Sequence, residues 1–282
     1  MKNGLVLEGG AMRGMFTAGV IDVLMENGIE FDGAVGVSAG AAFGCNIKSG
    51  QRGRAIRYTL RFADNKSFCS GKSLLTTGDL FGGEFCYHTI PEKLDIFDKK
   101  AFEESPMEFF VVCTDLATGK PFYHKMRRAD YNDLEWLRAS ASMPLVSNYV
   151  ELDGKRFLDG GISDSIPLSF MEKSGYDRNV VILTQPRNYI KEKTKSLSLV
   201  KMKYRKYPNF VKAVADRHKM YNNELKYVRA SEKSGKALVI APDIQLPIGH
   251  IEHDTDVIQR VYRIGRRIAN EKLESIIDFL SK

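Results

Sequence analysis

Gly36-Val37-Ser38-Ala39-Gly40 places a serine between two glycines, directly after a short apolar run and directly before small residues. A chain that turns sharply from a strand into a helix meets unusual backbone angles and close backbone contacts, which glycine tolerates and larger residues do not. The pattern predicts a hydroxyl, that of Ser38, presented at the mouth of a helix. There, unpaired N–H groups and the positive end of the dipole favour negative charge on an attacked carbonyl. The plain alternative is a Gly/Ser/Ala-rich turn with no chemistry attached.

Upstream, Leu5-Val6-Leu7 reads as a buried strand that runs into Glu8-Gly9-Gly10-Ala11-Met12-Arg13-Gly14. Phe16, Val20, Val23 and Leu24 then fall at helical spacing, and Gly28 stands where a helix stops. Ile29 to Val35 is expected to supply the second strand, leading to Ser38. Ala39, Ala41, Ala42 and Gly44 open a helix thin enough to pack tightly on a sheet. Two glycine-rich turns thus sit at the same end of neighbouring parallel strands, where open α/β sheets bind ligands. A dinucleotide fingerprint would want glycine in place of Ala11, and a phosphate-binding P-loop would want a Gly-Lys-Ser/Thr ending that this loop lacks. An oxyanion hole built from backbone N–H groups around Gly10 and Ala11 gives both loops one purpose. Arg13 either ties loop to helix or meets an anionic headgroup.

A serine nucleophile needs a base. Tyr149 to Leu158 reads as a hairpin whose tight turn is Asp153-Gly154. Asp159-Gly160-Gly161 follows the returning strand and is not needed for that turn. Asp159 is therefore the better candidate carboxylate, with a second turn aspartate as the alternative.

Together, the run from Leu5 to Gly14, the turn at Ser38, and Asp159-Gly160-Gly161 preceded by Ala139-Ser140-Ala141-Ser142-Met143-Pro144 resemble the patatin-like phospholipases in order and spacing. The resemblance covers roughly Lys2 to Leu183. It implies a three-layer α/β/α sandwich with a mainly parallel central sheet, and a lipid acyl hydrolase with a serine and aspartate dyad. It also implies an oxyanion and substrate-binding loop, which falls here on Gly9, Gly10, Ala11, Met12, Arg13 and Gly14. Gly36 and Gly40 then frame the nucleophile, and Gly160 and Gly161 complete the acid motif. Ala11 departs from the family, which commonly has a third glycine there. In a dyad the carboxylate itself accepts the hydroxyl proton. An aspartate near its free pKa of about 3.9 is a weak base, and partial burial strengthens it.

Five histidines allow a rival to be weighed: His88, His124, His218, His250 and His253. The last three follow Asp159 and formally fit a Ser, acid, His order, but α/β-hydrolases usually place the nucleophile after several strands, and Ser38 follows only the second apolar run. His218 falls in the helical series Val211, Val214, His218, Tyr221, Leu225 and Val228, and is expected to pack. His250-Ile251-Glu252-His253-Asp254 has metal-binding residue types without a third ligand element, so a polar loop is expected.

With 282 residues and 43% hydrophobic content, the chain is expected to form a single domain over 1–282. Segment 59–91, with its glycines and aromatics, is expected to cap the site, and a basic helical part is expected over 191–282. Buried strands are expected at Glu108 to Cys113, Asn179 to Leu183 and Ala237 to Ala241. An amphipathic helix is expected along Val257, Val261, Ile264 and Ile268, and a polar surface loop at Asp95 to Lys100. Cys45, Cys69, Cys86 and Cys113 lack paired spacing, which suits buried thiols in a reducing compartment. No leader or apolar run of the roughly 18 residues of a membrane span is present in the sequence, so a cytoplasmic location is expected.

The net charge of +7 is uneven, with lysine and arginine concentrated between Lys191 and Lys236 among tyrosines. A solvated helix surface is the ordinary reading of such a run. As partners, an anionic membrane touched peripherally fits better than nucleic acid, which is not expected. Neither cofactor nor metal is expected. The expected activity is hydrolysis of a lipid or similar ester. A lipid-surface or protein-binding module on the same fold is the alternative from another class, and intact Ser38 and Asp159 speak against it.

Overall fold

The computed structural model describes residues 1–281. Its sheet contains β1 (Asn3–Leu7), β2 (Gly33–Val37), β3 (Glu108–Asp115), β4 (Pro121–Met126), β5 (Val150–Leu152), β6 (Lys155–Asp159), β7 (Arg178–Ile182) and β8 (Ala237–Ile240). The order is β5-β6-β3-β2-β1-β7-β8, with β4 pairing β3 off that path. Strands β3, β2, β1, β7 and β8 are parallel, β4 and β6 pair antiparallel with β3, and β5 pairs antiparallel with β6. The mainly parallel α/β architecture read from the sequence is the one observed.

The central strands are buried on both faces, as parallel strands covered by helices must be. Alternation sorts their side chains. Leu5, Leu7 and Ala34 enter one core, while Val6, Val35 and Val37 enter the other. On the first face the helix Gly14–Glu26 lies against the helix Thr255–Glu271, which buries Ile258, Val261 and Ile268. On the second face the long helix Pro208–Lys233 buries Tyr221, Leu225 and Val228 beside Val239 of β8. No helix among the described residues is long and apolar enough to cross a membrane.

Two expectations need correction. The second strand starts at Gly33, not Ile29. Gly28 takes φ +62 and the Ile29 N–H returns to the Leu24 carbonyl at 3.0 Å, so Gly28 and Ile29 close the preceding helix, and the chain joins the sheet only from Asp32, whose N–H donates to the Asn3 carbonyl. Nor is Asp95 to Lys100 simply a polar surface loop. Asp95 is buried between Arg54 at 3.3 Å and Arg57 at 2.7 Å, Phe97 is buried in the core, and a helix begins at Lys99. Residue type signalled solvent, and two arginines from the helix Arg54–Phe62 supplied a partner that local sequence does not reveal. The hairpin is as expected, with Asp153 at φ +50 and Gly154 at φ +72 matching the handed turn that joins twisted strands.

Candidate active site

Ser38 stands between the end of β2 and the helix Ala39–Lys48, at φ +53 and ψ −123. That positive-φ conformation is unusual for a non-glycine residue and persists only where surroundings enforce it. The Ser38 N–H donates to Ser140 Oγ at 2.8 Å, and Ser140 Oγ donates to the Val112 carbonyl at 2.6 Å, tying the turn to β3 from inside the core. The flanking glycines are required by space. A Cβ on Gly36 would lie 2.5 Å from Ala41 Cα. A Cβ on Gly9, in the first loop, would lie 2.9 Å from Ser38 Cβ, so that loop passes directly over the serine.

The loop Glu8–Arg13 is held from below. Glu8 is buried, accepting from the Thr184 N–H at 2.6 Å and from the Tyr221 hydroxyl at 2.6 Å. Burial raises its pKa, opposed by those two hydrogen bonds and by Arg13 and Lys191. Ala11 sits at φ +49, a conformation in which glycine would be unstrained. The N–H groups of Gly9 and Gly10 donate to no acceptor among the described residues.

Asp159 ends β6, opposite Cys113 of β3. Its N–H donates to the Ser142 carbonyl at 2.8 Å and its carbonyl accepts from Thr114 Oγ1 at 2.8 Å, which fixes the backbone. Its carboxyl accepts the Gly161 N–H at 2.8 Å, and the Ser38 hydroxyl is near enough to favour its charged form. Burial raises the Asp159 pKa, and Arg217, the Ser38 hydroxyl and the Gly161 N–H oppose the rise. Ser38 is 7% exposed and Asp159 6% exposed, both opening onto one cavity of about 420 Å³.

No histidine among the described residues hydrogen-bonds either group. His218 Nδ1 faces the Ala215 carbonyl, His250 Nε2 lies 3.4 Å from Arg13 Nη1, and His253 Nδ1 faces the Ala63 carbonyl. His250 and His253 point to different neighbours.

Two cavities meet at Ser38. The first, about 100 Å³, is mainly apolar and lined by Phe43, Tyr58, Phe68, Phe81, Ile90 and Leu134 among others, many of them from the helices and loops of residues 54–97. The second, already described, carries Arg13, Lys191, Arg217 and His250. Sequence reasoning read the basic stretch after Lys191 as a solvated surface, yet two of its cations turn inward. Arg217 Nε donates to the Gly161 carbonyl at 2.5 Å, and Lys191 Nζ stands 4.9 Å from the Tyr221 ring centre. Burial first, then Arg217, brings the Lys191 pKa down to about 8. Glu224, on the same helix as Arg217, accepts the Ser165 and Ile166 N–H groups at 3.1 Å each and clamps that helix to the loop after Asp159. The helical spacing of Val214, Tyr221 and Val228 implied that Arg217 shares their face, and that was the available signal.

The family model for patatin-like phospholipases matches residues 5–171, a stretch that contains Ser38, Asp159 and the first loop. The chain belongs to the patatin-like phospholipase family. A second model, for a domain of unknown function, matches residues 207–281. Among curated relatives, the uncharacterized protein YjjU of Escherichia coli is 33% identical over 64% of this chain and 52% of its own length. An uncharacterized NTE family protein of Mycobacterium tuberculosis is 27% identical over 58% of this chain and 44% of its own length. Lysophospholipase nte1 of Aspergillus oryzae is 28% identical over 62% of this chain and 11% of its own length. The chain thus spans about half the length of the first curated relatives it matches. The crystal structure of VipD from Legionella pneumophila aligns over 97% of this chain and 67% of that one, at a TM-score of 0.48 and 12% identity. The serine turn and the Asp-Gly-Gly motif are distant in sequence; here they follow β2 and end β6, strands that both pair with β3.

Proposed function

We propose that this protein is a serine acyl hydrolase that cleaves lipid acyl esters through a Ser38–Asp159 dyad and an acyl-enzyme. One observation supports the reading: Ser38 and the buried Asp159 line one cavity, and no histidine among the described residues hydrogen-bonds either. Ser38 Oγ bonds to the ester carbonyl carbon as its proton passes to Asp159. The N–H groups of Gly10 and Ala11 receive the oxyanion. Collapse breaks the acyl carbon to alkoxide oxygen bond, and Asp159 returns the proton to the departing alcohol. Water then attacks the acyl-enzyme, gives a proton to Asp159, and Ser38 recovers it as the fatty acid leaves. Segment 59–91 acts as a cap whose apolar side chains receive the acyl chain.

A fluorophosphonate probe tests the nucleophile. Folded protein is expected to be labelled at Ser38, and Ser38→Ala is expected to lose the label. Equal labelling of both proteins removes the assignment and leaves the binding-module reading in its place.

The cavity mouth suggests how a lipid arrives. The helix Leu197–Lys203 turns Val200 inward and leaves Leu199 at 51% and Met202 at 70% exposure beside Lys201 and Lys203. Exposed apolar side chains next to lysines suit the surface of an anionic bilayer, each lysine contributing about 1 kcal/mol. Replacing Leu199 and Met202 by aspartate is expected to weaken sedimentation with phosphatidylglycerol vesicles at least about tenfold, since both insertion and charge attraction are lost. Sedimentation equal to the parent protein would count against this contact.

A further inference from the structure

Three cations converge on the 420 Å³ cavity: Arg13, Lys191 and Arg217. None of them forms an ion pair among the described residues, although exposed arginines elsewhere on this protein find carboxylates readily. The Nε of Arg13 is buried with no hydrogen-bond partner. The two carboxylates in the same cavity are committed elsewhere. Glu8 is held by Tyr221 and Thr184, and Asp159 by the Gly161 N–H. Three positive charges against two engaged carboxylates leave the cavity wanting an anion. It offers no free carboxylate for an ammonium group. The apolar cavity on the other side of Ser38 carries no such charge excess at its aromatic wall and suits a hydrocarbon chain.

We propose that the alcohol half of the substrate carries an anionic phosphate that Arg13, Lys191 and Arg217 hold, so that the enzyme selects acyl esters with a net negative headgroup over zwitterionic or neutral ones. The inference rests on the Ser38 hydrolase reading and adds the headgroup to it. Lys191 and Arg217 lie beyond residue 171, where the match to the family ends, so two of the three cations come from the part of the chain that the family match does not cover. Arg217 also touches the Gly161 carbonyl next to the acid motif, which places the phosphate close to the departing oxygen. Arginine and lysine together supply both directed N–H donors and a mobile ammonium for a phosphate group.

The test uses three esters of one acyl chain, each held below its micelle concentration so that surface attraction plays no part: monoacylglycerol phosphate, monoacylglycerophosphocholine and monoacylglycerol. For the full chain, kcat/KM is expected to be at least about tenfold higher for the phosphate ester than for the other two, and the ratio is expected to shrink as salt is raised. The double variant Lys191→Met with Arg217→Met is expected to bring the ratio close to one. Lys191→Arg keeps the charge and is expected to keep the preference. Equal kcat/KM for all three esters in the parent protein overturns the phosphate subsite while leaving the Ser38 chemistry standing. An unchanged ratio in the double variant overturns the residue assignment. Failure to hydrolyse any ester, together with failure of the fluorophosphonate to label Ser38, overturns the underlying hydrolase reading instead.

Discussion

Asp159→Asn is expected to lower kcat for ester hydrolysis by a factor on the order of 10³–10⁴ without lowering the melting temperature. The two halves of this expectation share one cause. Asparagine can still accept the Gly161 N–H that Asp159 Oδ1 accepts at 2.8 Å, so the local fold keeps its main contact. It cannot accept a proton from Ser38. Stability follows from the raised pKa of Asp159, which burial drives and Arg217 opposes. A carboxyl whose folded pKa exceeds its unfolded value holds its proton longer in the folded state, so folding loses free energy as pH climbs from the unfolded to the folded pKa. Above that window the parent protein carries a desolvated charge that the variant lacks. Equal or higher stability in Asp159→Asn is therefore the sign to expect, as at other sites where function opposes stability. The same shift sets the pH profile. The base must be ionised to accept the serine proton, so kcat/KM falls as pH drops through a limb above the ordinary aspartate range. Stopped-time assays of the parent between pH 4 and 9, with thermal melts of both proteins, check each half. A limb at the usual aspartate value would contradict the buried base, and a tenfold or smaller loss in the variant would contradict its role.

Legibility in the sequence divides by range. The serine turn, the glycine loop and the Asp153-Gly154 hairpin were readable because backbone sterics act over a few residues, and only particular residue types satisfy them. The parallel core was readable from short apolar runs alone, since strands covered on both faces need little else. The start of β2 differs from the expectation because Ile29 is apolar while it closes a helix and Phe31 is apolar while it packs in the core ahead of the strand; periodicity does not distinguish those uses. What escaped notice was long-range and polar. Ser140 anchors the nucleophile turn from 102 positions away, and Tyr221 holds Glu8 from 213 positions away. Neither partnership leaves a mark in local pattern, because a hydroxyl on a helix face looks alike whether it meets water or a buried carboxylate. The inward cations are the sharpest case. Lys191 and Arg217 sit in a tract whose other basic side chains face solvent, and composition averages over both populations. Asp95 shows the converse, a charge that reads as solvated but is enclosed by Arg54 and Arg57.

Gly40→Ala carries the other large effect, on folding. A Cβ there would stand 2.7 Å from the Glu8 carbonyl oxygen and closer still to that of Leu7. Both oxygens belong to the backbone where β1 passes into the glycine loop, and Leu7 is bonded on both sides, to β2 and to β7. A flexible side chain could swing aside; a central strand cannot move without breaking register with two neighbours. Relief must come from shifting the helix Ala39–Lys48 outward, which pulls Ser38 from Ser140 Oγ and opens the packing of Ala41 and Phe43. Overpacking of this kind costs about 3 kcal/mol, the upper end of the usual range because the opposing atoms are backbone. At about 2–4 °C per kcal/mol for a chain of this size, the melting temperature should fall by roughly 10 °C. Gly71→Ala provides the contrast. Nothing lies within 4 Å of a Cβ at that position, which opens the helix Gly71–Thr77, so alanine should be neutral or mildly stabilising there. If both variants melt alike, the close passage of the nucleophile helix beneath β1 does not hold the serine turn. If Gly40→Ala alone collapses, the second glycine of the motif is explained by the carbonyl oxygens it must pass rather than by any need for a flexible turn.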